Sequence, residues 1–365
     1  MSRPESKSSQ QDSCPSSTGF NPTISTTPDL PQIDFAKIGG AAPQPLATPK
    51  DQLPQADAVV ITWASAEWAA MQHVFISGGG QSMPYSERNN HWPGWEEFNQ
   101  DMPPYQGHDS SSWTYWGLYR LVEIQGRKVL LFKSNTHLDW PGEEYLADMI
   151  RLLIRLVQPS LILSIGTAGG SRVADHEGTV STGNAGVLYV AGQPPSDWPR
   201  YGSNWQADWS VVEKLGPLLF AIPTTDDDLN GLVAQYNKFY GSSFTLDQLN
   251  PHNVVMADES PKLHNVTPAG TPLLTAATFV VGTTSGDYDQ YVCIEMDDAV
   301  IAQVCQQQGT QFGFVRNISD PVQNQTLPYC DQKGWGSTIY SVYGFYTSYN
   351  GALNAWALLD AQWSQ

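Results

Sequence analysis

The chain has 365 residues, 41% hydrophobic and 15% charged, which is enough to bury a large core as one big domain or two of ordinary size. Its 36 acidic residues against 18 basic ones leave a net charge of -18, which excludes a nucleic-acid backbone or an anionic membrane as the expected partner, since either needs a basic footprint. No run approaches the roughly 18 apolar residues of a membrane helix, and residues 1–17 lack the apolar centre of a secretory signal, so the expectation is a soluble, cytoplasmic protein.

Residues 1–17 are rich in Ser, Gln, Pro and charge, and the chain to residue 54 keeps its prolines with only short apolar pieces. Residues 1–54 are therefore expected to be a disordered tail and an extended arm laid along the body or a second subunit. Residues 55–365 are expected to form a single domain with insertions near 78–112 and 193–262. A short buried strand over 58–62 comes first. Residues 63–65 then turn the chain, and Ser65 is placed to cap a helix carrying Glu67, Met71 and Val74. Glu67 falls in the first turn of that helix, where a capping carboxylate and a functional one are both open readings. The 78–112 stretch is polar, aromatic and turn-rich, as long functional lids often are.

Two strands, 116–124 and 128–134, flank a turn at Gln125, Gly126 and Arg127. A helix over 144–157 keeps Leu146, Met149, Ile150 and Leu153 on one face and stops at Pro159. A strand over 161–165 then runs into Gly166, Thr167, Ala168, Gly169 and Gly170. Such a turn lets backbone approach a ligand closely, with a tight strand-to-loop corner as the plain alternative. It is neither GxGxxG nor a phosphate loop, so no nucleotide cofactor is expected. A strand over 186–191, a loop-and-helix region over 193–262, a strand over 276–282 and a polar loop over 283–291 follow. The Asp226–Asp228 run reads as a solvated acidic loop. Cys14, Cys293, Cys305 and Cys330 show no CxxC spacing, which indicates neither a metal site nor a disulfide framework.

The most informative stretch runs from Cys293 to Asp320. Val300, Ile301, Val304 and Cys305 recur at helical spacing on a helix from Asp297 or Asp298 to Gly309. Residues 312–318 then read as a strand buried on both faces, followed at once by Ser319 and Asp320. Ligands of open α/β sheets sit at the carboxyl ends of strands, so Asp320 is placed like a working residue. After a loop to Gly336, Ala352, Leu353, Trp356, Ala357 and Leu359 predict a terminal helix.

LILSIGTAGG after one strand, IEMDDAVIAQVC before a helix, FVRNISD at another strand and the acidic helix start at Glu67 occur in the order of a known pattern. The chain resembles the nucleoside phosphorylase and nucleosidase superfamily, nearest in pattern to the methylthioadenosine/S-adenosylhomocysteine nucleosidases, over about residues 58–320 without the two insertions. That resemblance implies an α/β fold, a three-layer α/β/α sandwich with a mixed, partly barrel-like central sheet. It implies a nucleosidase acting on a small-molecule purine nucleoside or 5′-substituted purine nucleoside, with no cofactor and no metal, in a homo-oligomer, as a dimer.

Residue by residue, the resemblance implies that Asp320 is the general acid that protonates the purine and that Ser319 orients its carboxyl group. Met296 packs on the ribose and Asp297 takes the place of the family's Glu, one methylene shorter, for the sugar hydroxyls. Glu295, which does match the family, is a second candidate for that contact. Glu67 stands where the nucleosidases activate water, and Thr167 and Gly169 form the ligand-binding turn. Arg316 reads as a structural ion-pair partner of a carboxylate, His137 as a loop histidine, and Trp63 as a group that narrows the site.

Phosphorylases of the hexameric kind carry a GDPxR-like turn where this chain has Thr62, Trp63, Ala64 and Ser65, and an Arg where it has Ser164. Water is the expected nucleophile. A phosphate-dependent phosphorylase and a non-catalytic nucleoside-binding or storage relative are the alternatives.

Overall fold

The structure is a computed structural model that describes residues 14–78, 80–222, 224–251, 261–268, 270–276, 288–320, 322 and 324–364. Most of the expected tail, most of the expected strand over 276–282 and the first part of the loop over 283–291 lie outside the described residues.

In chain order the elements are β1 (Gln44–Pro45), β2 (Ala58–Thr62), α1 (Ser65–Met71), β3 (Glu96–Phe98), β4 (Gly117–Ile124), β5 (Arg127–Ser134), α2 (Glu143–Val157), β6 (Leu161–Gly169), β7 (Val180–Gly183), β8 (Ala185–Leu188), β9 (Arg200–Gly202), α3 (Asp226–Tyr240), α4 (Leu246–Leu249), β10 (Leu263–Asn265), β11 (Leu273–Thr275), β12 (Ile294–Glu295), α5 (Asp298–Gln308), β13 (Gln311–Asp320) and α6 (Tyr329–Trp363). The strands join one mixed sheet, ordered β1-β4-β5-β2-β6-β12-β11-β8-β9, with β13 on β6 and β7.

Side chains alternate across a strand, so a strand buried on both faces serves two cores. Ala58 and Val60 of β2 join the core that holds α1 and α6, while Val59 and Ile61 join the core that holds α2 and α5. In β6, Leu161 and Leu163 face the first core and Ile162 the second. The result is the expected three-layer α/β/α sandwich. Each fully buried aliphatic side chain in these cores contributes about 1.5–3 kcal/mol.

Strand β6 is where the sheet divides. Its register with β2 ends at Ser164, and β12 takes up pairing at Gly169. On its other edge β13 stays parallel to it from Leu161 to Gly169. The edge facing β2 is thus left open between those two pairings, at the carboxyl ends of parallel strands, where a switch in strand order opens a ligand crevice. The pairing with β13 also corrects the sequence reading: the Gly-rich run is strand as far as Gly169, because β13 extends alongside it to Asp320.

Other expectations change as well. Ser65 does not cap α1: the N-cap is Ala64, and Glu67 reaches back to its backbone N–H. The Asp226–Asp228 run begins α3, with Asp228 and Thr225 in a capping box, and Asp228 also accepts hydrogen bonds from Ser25 of the N-terminal arm. That arm packs on the body through buried Leu30, Ile33, Phe35 and Ile38. The terminal helix starts before Gly336, at Tyr329. It lies so close to β13 that a Cβ at Gly351 would stand 2.4 Å from Asn317 Oδ1. No helix of the described residues is long and apolar enough to cross a membrane.

The cysteines also depart from expectation. Cys14 and Cys330, 316 residues apart, form a disulfide that ties the arm to the first turn of α6. Disulfides persist in oxidising compartments, so cysteine usage lends no support to a cytoplasmic location. Closing so long a loop is expected to stabilise the fold by about 2–5 kcal/mol. Replacing both cysteines by serine should therefore lower the denaturant midpoint, and reductant should lower the wild-type midpoint to match. An identical midpoint with and without reductant contradicts the bond.

Candidate active site

A cavity of about 280 Å³ opens at the division of the sheet, and Glu67, Thr167, Gly169, Glu295, Met296, Asp297, Ser319 and Asp320 all line it. The sequence-predicted site residues thus come together from α1, β6, the β12–α5 junction and the end of β13. Residues 78–112 contribute none of its lining among the described residues.

Glu67 fills the gap left between β2 and β12. Thr167 donates to its Oε1 from backbone N at 2.8 Å and from Oγ1 at 2.7 Å. Thr62 Oγ1, Trp63 N and Ala64 N donate to its Oε2 at 2.7, 2.9 and 2.8 Å. Burial alone would raise the pKa of this carboxyl, but the hydrogen bonds from Thr167, Thr62 and Ala64 outweigh it and hold the pKa below the usual range. Glu67 is a fixed anion. Gly166 is required beside it, because a Cβ there would meet Arg316 Nη1 at 2.8 Å and Glu67 Oε1 at 2.9 Å.

Asp320 has the opposite character. A bulge after Ile318 turns it inward at the end of β13. Gly169 leaves room for its carboxyl: a Cβ there would stand 3.1 Å from Asp320 Oδ2. Burial pushes its pKa up from 3.8 to about 6, and the Ser319 hydroxyl, donating to Oδ1 at 3.1 Å, only partly offsets that. A second carboxyl, Glu177, is buried with no hydrogen-bond partner for either oxygen among the described residues. Burial and the charge of Asp320 raise its pKa well above the ordinary value, which favours its protonated form. Nothing in the sequence singled it out.

Behind the cavity, Arg316 donates to Asp298 from Nε at 2.9 Å and from Nη2 at 2.5 Å, and to Ser164 Oγ at 2.7 Å. Its Nη2 is also 3.3 Å from Glu295 Oε2. The expected structural ion pair is therefore present, and Arg316 is the one Arg or Lys among the described residues lining the cavity. Glu295 accepts from Thr275 Oγ1 at 2.5 Å and from the backbone N–H groups of Asp297 and Asp298 at 2.6 and 2.9 Å. Its oxygens are spent on the start of α5, which gives it a positioning part. Burial and neighbouring Asp298 raise its pKa.

Three lining groups carried little or no sequence signal. Ser337 and Tyr340 come from α6, and the Tyr340 pKa is raised by burial and by the charges of Glu67 and Asp320. His137 comes from the loop after β5, with its Nδ1 3.1 Å from Asp297 Oδ2.

The Asp320 shift sets a pH dependence. Its folded-state pKa lies above the unfolded one, so the folded state keeps a proton that the unfolded chain has released. This costs stability progressively as pH rises from about 4 to about 6, and by a constant amount above that. Asp320→Asn removes the titration. The midpoint of the wild type should therefore fall relative to that variant across this window in parallel denaturant titrations, and parallel midpoints at all pH values contradict the raised pKa.

No protein-family model matches the sequence, and no curated protein matches it. Several solved structures are similar. The 5′-methylthioadenosine/S-adenosylhomocysteine nucleosidase of Neisseria meningitidis, in complex with methylthio-immucillin-A, is 13% identical over 83% of this chain and 99% of that one, with a TM-score of 0.44. The corresponding nucleosidase of S. pneumoniae is 14% identical over 84% and 98%, with a TM-score of 0.44. Futalosine hydrolase of Helicobacter pylori is 11% identical over 84% and 98%, with a TM-score of 0.44.

Proposed function

We propose that this chain hydrolyses the N-glycosidic bond of a purine nucleoside or a 5′-substituted purine nucleoside, releasing the free base and the sugar. The observation that carries the reading is the division of protonation around one cavity: Asp320 is pushed up to about 6 while Glu67 is held below the usual carboxylate range. A carboxyl group of raised pKa is an acid available to a departing base. A permanently ionised one stabilises positive charge where it develops.

Cleavage of a glycosidic bond passes through an oxocarbenium-like state in which the sugar carries positive charge and the leaving group negative charge. Asp320 meets the second need by protonating the purine as the bond breaks. With a pKa of about 6, roughly a tenth of the molecules hold that proton at pH 7. Glu67 meets the first need. Five donors occupy its oxygens, and a low-pKa carboxylate is a weak base. Its part is to supply negative charge and, through Thr167, to hold the attacking water. An oxocarbenium carbon is electrophilic enough that the water needs placement more than deprotonation: its proton leaves to solvent once the new C–O bond has formed, and Asp320 regains from solvent the proton it gave to the base.

Water is favoured over phosphate because a phosphate site needs free guanidinium, ammonium or backbone donors. The Arg316 guanidinium is already committed to Asp298, Glu295 and Ser164, and around it the lining holds the acidic Glu67, Glu295, Asp297 and Asp320 and the Asp297-paired His137.

The role of Asp320 has a direct test. Asp320→Asn should slow base release from an ordinary purine nucleoside by about 10² to 10⁴. A 7-methylated purine nucleoside, whose base leaves already positively charged, should be cleaved by the variant within roughly tenfold of the wild-type rate. An equal loss on both substrates contradicts the assignment of Asp320 as the acid.

A further inference from the structure

The resemblance puts Asp297 in the place of a longer carboxylate for the sugar hydroxyls, but its own oxygens are already used. Leu138 N donates to Oδ1 at 2.8 Å and His137 Nδ1 lies 3.1 Å from Oδ2. The carboxylate is 4% exposed. The histidine is different: it lines the cavity, its side chain is 38% exposed, and no partner is found for Nε2 among the described residues. Trp63, with its ring centroid 6.0 Å from that of His137 and its Nε1 donating to Thr136 O at 2.9 Å, packs the imidazole against the cavity wall.

We propose that His137, oriented by Asp297, is the group that holds the sugar's vicinal hydroxyls, and that Asp297 is a positioning residue. This rests on the nucleosidase reading of the cavity. A carboxylate only accepts, so Asp297 fixes the Nδ1 of His137 as a donor and leaves Nε2 facing the cavity, an acceptor in the neutral ring and a donor in the protonated one. A sugar hydroxyl both donates and accepts, so it can meet that nitrogen in either state. The Asp–His pair thus stands in for one longer acidic side chain, delivering a polar nitrogen one ring further into the cavity. Burial alone would lower the His137 pKa, but the charge and hydrogen bond of Asp297, with smaller help from Asp139 and Glu67, raise it. The ring therefore stays tied to its partner.

The test compares adenosine with 2′-deoxyadenosine and 3′-deoxyadenosine, by calorimetric binding and by base release, in the wild type, His137→Ala, His137→Gln and the double variant His137→Ala/Asp297→Glu. The wild type should prefer the ribonucleoside over at least one deoxy form by about 10- to 100-fold, the worth of one hydrogen bond with a charged partner. His137→Ala should lose that preference, His137→Gln should keep part of it, and the double variant, with its longer carboxylate, should regain it. An unchanged preference in both single variants overturns the role of His137. A wild type that binds nucleosides but releases no base overturns the hydrolase reading, while the binding comparison still decides His137. A wild type that binds none of the three overturns both.

Discussion

The site depends on one buried guanidinium. Arg316 enters from the middle of β13 and is held by Ser164 of β6, Asp298 at the start of α5 and Glu295 at the end of β12. These elements meet where the sheet divides. Removing one partner from a buried pair of this kind typically costs 3–5 kcal/mol, because the remaining charge is left uncompensated. Satisfied, the cluster fixes the β12–α5 junction that carries Met296 and Asp297 and commits the Arg316 guanidinium.

The division of the sheet explains the second half of the arrangement. A strand edge without a neighbour leaves backbone N–H groups to be satisfied. At Thr167 the Glu67 carboxylate takes that place, accepting the backbone N–H and the hydroxyl together. The same gap that opens the crevice thus keeps Glu67 ionised and anchored. At the other side, the β13 bulge and the absence of a side chain at Gly169 bring Asp320 to the cavity wall, where burial favours the protonated form. Two carboxyl groups of one cavity have their pKa values shifted in opposite directions by backbone topology.

Much of this was legible in the sequence because it is local. The β13 strand, the α5 helix and the acidic groups at their ends follow from apolar spacing and chain punctuation, and the motif order tied them to Glu67 and Thr167. What the sequence hid depends on partners far along the chain. The His137–Asp297 contact spans 160 residues, and the disulfide spans 316. Helix α6 begins at Tyr329, before the loop end expected at Gly336. Two of its glycines are close-contact points, Gly334 against Tyr236 and Gly351 against Asn317. Several of its buried polar groups find partners far along the chain: Asn350 with Phe220 and Gly178, Asn354 Oδ1 with Thr182, and Asp360 with Ala41 and Gln125. With α6 extended, Ser337 and Tyr340 reach the cavity.

The central claim is that water, not phosphate, receives the sugar. It is tested most directly by incubating the protein with a panel of purine and 5′-substituted purine nucleosides in phosphate-free buffer and again with added phosphate, measuring free base and sugar product together. The account predicts equimolar base and reducing sugar in both buffers at the same rate. Base release only in the presence of phosphate, with sugar 1-phosphate as the product, contradicts it.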